Sequence, residues 1–362
     1  MMYIEDYYNR WRVNQLSLNS EIEQFLLERG ALKVGFATLE TLSGGHPSAD
    51  LAYILPEARS AVSFALPLDR EKIRGFLGKE SHSAHEQDNF EVNIKSSRLA
   101  KALAIWLEEK GFASKRVISN NVYRTEVEGW QLSMPPDISH RYVAVRSGVG
   151  SFGWSGNVGI KGVGCAVILG TAVTEAELEP TEPVPEEETF CDRCKLCVAA
   201  CPSGMFDAKE ETSVTLGGVT FTFARRDSYT GCQFVCGGFT GLHRSGKWST
   251  WSPGRYRLPD DEEELLDVFF RAIDNYAKWP ERADGTGGYV NMALSDASLR
   301  LTCANCQLIC EGDKEKTREN YRLLTGSGCV IQREGGDVEV LPCDEAARAF
   351  ERLPGAHKSL YE

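Results

Sequence analysis

The chain has 362 residues, of which 42% are hydrophobic and 25% charged, and a formal net charge of −12. Such a balance fits an ordinary globular protein of about two domains and excludes a continuous apolar bilayer span. The acidity argues against a nucleic-acid partner, because phosphate binders present basic surfaces. The opening residues MMYIEDYYNRWRVN contain no apolar signal core. Arg225-Arg226 lies mid-chain, so no export leader and no membrane partner are expected, and the location reads as cytoplasmic.

In chain order, Ser20 followed by Glu23 reads as a capping box for a helix with Ile22, Phe25 and Leu26 on its apolar face, ended by Gly30. ALKVGFATL predicts a strand, and PEARSAVSFALPL a second one centred on residues 61–66. SSRLAKALAIWLEEKG predicts a helix carrying Leu99, Leu103, Trp106 and Leu107 on one side. KRVISNNV reads as a further strand. HRYVAVRSGVGSFGWSGNVGIKGVGCAVILGTAVT is rich in glycine, which allows tight turns and close backbone approach, and GCAVILGTAVT within it reads as a buried strand. The segment is no P-loop, since the Gly-Lys-Ser/Thr ending is missing.

EAELEPTEPVPEEE, acidic and proline-bearing, reads as a solvated linker over 175–189. It divides an α/β domain (1–174) from a cysteine-rich domain (190–325), with 326–362 as a C-terminal extension. TSVTLGGVTFTF predicts a hairpin turning at Gly217-Gly218. DEEELLDVFFRAIDNYAKW predicts a long helix with Leu265, Leu266, Phe269, Ile273 and Tyr276 inward.

The chain carries 12 cysteines. Cys191, Cys194, Cys197 and Cys201 in CDRCKLCVAACP have the C-x2-C-x2-C-x3-C-P spacing of a two-cluster bacterial ferredoxin, in which the fourth thiolate crosses to the neighbouring cluster. Cys303, Cys306 and Cys310 in CANCQLIC supply the partner run. Paired C-x2-C knuckles also suit zinc, but zinc needs neither the third and fourth cysteine in register nor the trailing Cys-Pro. Ferredoxin logic gives one 4Fe-4S cluster to Cys191, Cys194, Cys197 and Cys310, and a second to Cys201, Cys303, Cys306 and one more ligand. Cys232 is our choice for that ligand, with Cys236 close by. Cys165, Cys329 and Cys343 stand apart and read as small buried hydrophobes.

The order of these parts resembles the epoxyqueuosine reductase and reductive dehalogenase superfamily of corrinoid-dependent iron-sulfur reductases, over about residues 20–315. Gly153, Trp154, Gly156 and Asn157 fit that family's glycine-rich segment with its lysine missing, and Gln307 lies within the second cysteine run as it does there. The resemblance implies an α+β protein with a nitroreductase-like α/β domain followed by a ferredoxin-like domain carrying two 4Fe-4S clusters. It also implies cobalamin held between them, met by Gly153, Trp154, Ser155, Gly156, Asn157 and Gly164.

Where the family has a ligand cysteine in an ARRC stretch, this chain has Ala224-Arg225-Arg226-Asp227, so Asp227 is a further candidate for the second cluster. The family's acid-bearing Asp-Thr-Gly-Pro stretch is replaced by MPPDISHRY. Candidate proton donors are therefore Asp137, His140 and Tyr142, with Tyr123 and Arg124 in another plausible loop. Without room for the helical repeats that help grip tRNA, the expected reaction is reduction of a small organic molecule by a corrinoid-dependent enzyme. A ferredoxin- or flavodoxin-type protein would be its low-potential donor. The alternative is an electron-transfer or reactivation protein that reduces the corrinoid or other cofactor of a partner. A flavin in place of the corrinoid is a third possibility.

Overall fold

The computed structural model describes residues 17–118, 122–227, 229–259, 261–276, 278–281 and 301–362. Its strands, in chain order, are β1 (Lys33–Thr38), β2 (Ser60–Pro67), β3 (Ser114–Arg116), β4 (Ser151–Phe152), β5 (Val158–Gly159), β6 (Val167–Thr174), β7 (Phe206–Leu216), β8 (Val219–Arg226), β9 (Cys329–Gln332) and β10 (Val338–Leu341). Successive side chains on a strand point to opposite faces, and β2 uses this to serve two cores. Val62, Phe64 and Leu66 enter a core with Leu99, Leu103 and Leu107 of the helix Ser83–Glu109, while Ala61 and Ala65 enter another with Val143 and Ala144 of the helix His140–Arg146.

The sheet order is β1-β2-β6-β3, and each pairing is antiparallel. Small residues on the second face let the helix His140–Arg146 come close. A Cβ built on Gly35 of β1 would lie 2.1 Å from the Ser147 carbonyl oxygen just beyond that helix. Mixed helices and small sheets make the chain an α+β protein.

Several elements differ from their sequence expectation. The first helix is Leu18–Leu27, capped by Ser17 rather than Ser20: the Ser17 hydroxyl accepts from the Ser20 N–H at 3.2 Å. The cap moves because Leu18 packs against the same core as Ile22 and Leu26. The helix read over 96–111 begins at Ser83, its polar first half contributing buried His85 and Asp88 that no apolar period signals. Of the strand read in KRVISNNV, Ser114–Arg116 is extended; residues 119–121 lie outside the described residues.

The segment read as a solvated linker is bound to the sheet region at its start. Thr181 donates to the Ser147 carbonyl at 2.6 Å, and its hydroxyl accepts the Phe36 N–H at 2.8 Å. Ala176 and Leu178 are buried there.

The hairpin β7–β8 turns at Gly217-Gly218, both in the left-handed region that a two-residue turn of this kind requires. Its open end stays with the cysteine region through Phe206 and Ala224, while its turn end leaves that region. Val214, Leu216 and Phe223 enter the core that contains Ala61 and Val143.

On the helix Glu262–Tyr276, Leu265 and Tyr276 are buried, but Leu266 is 42% exposed and Ala272 takes the inward position instead. Cys329 and Cys343 are not isolated. They form a disulfide between β9 and the start of the helix Cys343–Glu351, with Cα atoms 5.2 Å apart, because the β9–β10 hairpin returns the chain to its own first residue.

Candidate metal centre

The loop CDRCKLC is shaped so that its sulfurs converge. Arg193 and Lys195, neither of them glycine, adopt left-handed backbone at φ 58° and 60°, which turns the chain sharply between successive cysteines. The Cys191 sulfur accepts N–H bonds from Trp154 at 3.3 Å and Arg193 at 3.4 Å. The partner run crosses above on the short helix Asn305–Leu308. Gln307 Nε2 ties that helix to the entry of β6 by donating to the carbonyls of Cys165 and Val167, each at 3.1 Å.

Cys191, Cys194, Cys197, Cys306 and Cys310 thus line one cavity of about 80 Å³, and Cys165 lines it with them. The sequence offered no sign of Cys165's position, since it stands alone in the turn just before β6. Burial, reinforced by neighbouring thiols, pushes Cys197 up to about 12, and burial pushes Cys194 up to about 11. Cys310 moves the other way, because the Cys165 thiol hydrogen-bonds to it.

A second group adjoins the first through Cys306. Cys201, Cys232 and Cys303 interact electrostatically with Cys306, and Cys201, Cys232 and Cys306 share an apolar patch with Met205 and Phe206. Cys232 and Cys236 lie one turn apart on the helix Tyr229–Cys236, their sulfurs 3.9 Å from each other. The Asp227 carboxylate is half exposed and pairs with Arg225 at 3.1 Å, while its N–H donates to the Met205 carbonyl at 2.9 Å.

Cys191, Cys194, Cys197, Cys201 and Cys306, buried in this way, resist ionisation until positive charge is placed among them, and that is the donor chemistry of a thiolate-ligated metal group. Among the described residues no three His, Cys, Asp or Glu side chains converge tightly enough for a single ion. The sulfurs surround a space, as cluster ligands that each bind a different iron must, and the residues fit such a group.

Of the six positions assigned to cobalamin, Gly153, Trp154 and Ser155 border the first thiol cavity, and the segment otherwise lies against protein. A Cβ on Gly153 would meet the Phe190 ring at 2.8 Å; one on Gly156 would meet Arg226 Nη2 at 2.6 Å; one on Gly164 would meet the Cys310 carbonyl oxygen at 2.2 Å. Trp154 is buried, its indole N–H donating to the Asp207 carbonyl at 3.0 Å and its ring covered by Lys195 Nζ at 4.1 Å. The Ser155 carbonyl accepts from Arg226 at 2.9 Å, and Asn157 Nδ2 reaches the Cys306 sulfur at 3.5 Å. The glycines allow loop and cysteine runs to approach each other. They do not form an open face for a corrin ring, and on this segment the fit to that group fails.

The proton-donor candidates separate. Ser139 caps the helix His140–Arg146. His140 turns toward the sheet, its Nδ1 2.8 Å from the Thr171 hydroxyl, and burial lowers its pKa to about 4, so it is neutral near pH 7. Asp137 is buried beside Arg124, and loss of solvent raises its pKa. The Tyr142 ring meets His46 edge-on at 5.6 Å, and His46 in turn feels Arg124 and Arg141.

The sequence reading missed His46 and Arg141. The Arg141 guanidinium donates to the Gly156 carbonyl at 3.0 Å and lies near Arg226 and Tyr229, which places it between the polar group and the second set of thiols. Nothing in the local pattern singles out either residue; they meet only because the helix His140–Arg146 packs between the sheet and the glycine-rich loop.

No protein-family model matches this chain, and no curated protein matches it. Among solved structures, an epoxyqueuosine reductase with a tRNA-Tyr epoxyqueuosine-modified tRNA stem loop is similar over 85% of this chain and 80% of that one, at 18% identity and a TM-score of 0.38. Another epoxyqueuosine reductase matches over 52% of each chain at 22% identity and a TM-score of 0.34. A catabolic reductive dehalogenase, in complex with 3-bromo-4-hydroxybenzoic acid, matches over 57% of this chain and 27% of that one, at 15% identity and a TM-score of 0.43. The chain thus spans about half the length of the second reductase and about a quarter of the dehalogenase. Solved structures to which this chain is similar include epoxyqueuosine reductases and reductive dehalogenases.

Proposed function

We propose that the chain is an iron-sulfur oxidoreductase that relays electrons through two adjacent 4Fe-4S clusters. One is held by Cys191, Cys194, Cys197 and Cys310, the other by Cys201, Cys232, Cys303 and Cys306. The observation that carries this reading is the pair of adjoining thiol groups, joined where Cys306 lines the first cavity while interacting with the second set. Clusters held so close suit one-electron relay, with potentials set by charge, burial and hydrogen bonds to sulfur. Trp154 N–H and Asn157 Nδ2 would supply such bonds, one to each ligand set.

The electrons would come from a low-potential ferredoxin- or flavodoxin-type donor and leave toward a reducible group beside Asp137, Arg141 and Tyr142. Asp137, held toward its protonated form by burial, is the residue there suited to give a proton. Cobalamin would supply a strongly reducing cobalt centre for a small organic substrate, but the filled glycine segment offers no face to hold it. That same observation favours the second reading, in which the chain reduces the cofactor of a partner protein.

Anaerobic reconstitution with iron, sulfide and cobalamin, followed by metal analysis and electron paramagnetic resonance, tests the proposal. About eight irons per chain are expected, four for each cluster. Zinc in place of iron would overturn it. Stoichiometric cobalt beside the iron would restore the corrinoid-loaded reductase over relay to a partner.

A further inference from the structure

Each set of thiols contains one more cysteine than a 4Fe-4S cluster uses, and in both sets the extra one stands beside a proposed ligand. Cys165 is buried and lines the first cavity together with Cys310. Its place is fixed by main-chain bonds: its N–H donates to the Cys310 carbonyl at 2.9 Å, and its carbonyl accepts from Gln307. In the second set, Cys236 lies 3.9 Å from Cys232, sulfur to sulfur, and 3.7 Å from the Cys303 carbonyl oxygen. Thr302 anchors this turn by donating to the Cys236 carbonyl at 2.9 Å. Two unrelated segments, a strand entry and a helix end, thus present the same arrangement.

We infer that Cys165 and Cys236 are reserve ligands, each standing beside a proposed ligand and able to bind that neighbour's iron when the neighbour is lost. The inference rests on the two-cluster reading. When the ligand is exchanged, one iron–sulfur bond breaks and another forms at the same iron. The reserve thiol's proton passes to the departing thiolate, or to water where that sulfur has been removed, and no electron is transferred. A reserve that swings into place must stand close to the vacated position, which the cavity shared with Cys310 and the 3.9 Å separation from Cys232 provide.

The test compares iron and sulfide content and the electron paramagnetic resonance signals of anaerobically purified full-length variants. Cys194→Ala, which has no reserve beside it, is expected to lose about half of the iron, one cluster of two. Cys310→Ala and Cys232→Ala are each expected to keep the wild-type content with an altered signal. The double variants Cys165→Ala/Cys310→Ala and Cys232→Ala/Cys236→Ala should fall to the Cys194→Ala level. Single variants as depleted as Cys194→Ala would overturn the inference while leaving the two-cluster reading intact, whereas wild-type chain without iron would remove the reading itself. If Cys310→Ala does not fold, the second set decides: iron kept in Cys232→Ala and lost in Cys232→Ala/Cys236→Ala supports the inference, and equal loss in both refutes it.

Discussion

Around β2 and β6, large apolar side chains alternate with small ones, and two cores close on either face without help from any other molecule. Around Cys191–Cys201 and Cys303–Cys310 the elements are single helical turns, two residues sit in left-handed backbone, and the buried side chains are thiols. The first region is held by removing hydrocarbon from water. The second brings together groups that repel one another once ionised, so its rigidity depends on what is placed between them. A fold can therefore carry a stable half that positions a half completed only by its cofactor.

The largest effect should come from removing that cofactor. Chelation of reconstituted protein is expected to open residues 190–205 and 301–312 to amide hydrogen exchange while β2 and β6 stay protected. Equal loss of protection in both regions would break the distinction. Next comes Gly164→Val, which would set a branched side chain at φ 71° against the Cys310 carbonyl. Iron analysis should show the cluster served by Cys310 depleted, with far-ultraviolet circular dichroism close to that of the parent chain.

On the other side of the comparison, Phe64 is fully buried between β2 and the helix Ser83–Glu109. Phe64→Ala is expected to cost about 3–5 kcal/mol in denaturant unfolding of the sheet region. A loss well below about 1 kcal/mol would show that the site collapses instead of leaving a cavity.

Acid provides a milder probe. His85 and His140 both have pKa values lowered to about 4 by burial, below the 6.5 of an exposed histidine. Their contribution to stability is complete above pH 6.5 and is lost as pH falls toward 4, where unfolding takes up protons. The melting temperature should fall across that window, and His140→Gln should flatten the fall.

The smallest effect belongs to the strap. Thr181→Val deletes the hydroxyl that bonds Ser147 and Phe36, at an expected cost of about 1–2 kcal/mol, measured by urea unfolding.

Ligand types and the central strands were legible in the sequence, because both depend on local spacing. C-x2-C-x2-C-x3-C is a property of neighbouring residues, and alternating or continuous apolar runs such as AVSFAL report the face a strand will bury. Other features had no local signature. Cys165 reaches the first cavity through Gln307's hold on the β6 entry, and the pairing of Cys329 with Cys343 follows from a hairpin that returns the chain on itself.

The glycine-rich segment shows the boundary most clearly. Its composition determined that a backbone would approach something closely; only tertiary packing decided that the neighbours are Phe190, Arg226 and the Cys310 carbonyl. Spacing along the chain fixes which groups can act together over a turn or two. Which distant groups share a cavity depends on how whole elements pack, and that is set by summed burial over many residues, to which no short motif corresponds.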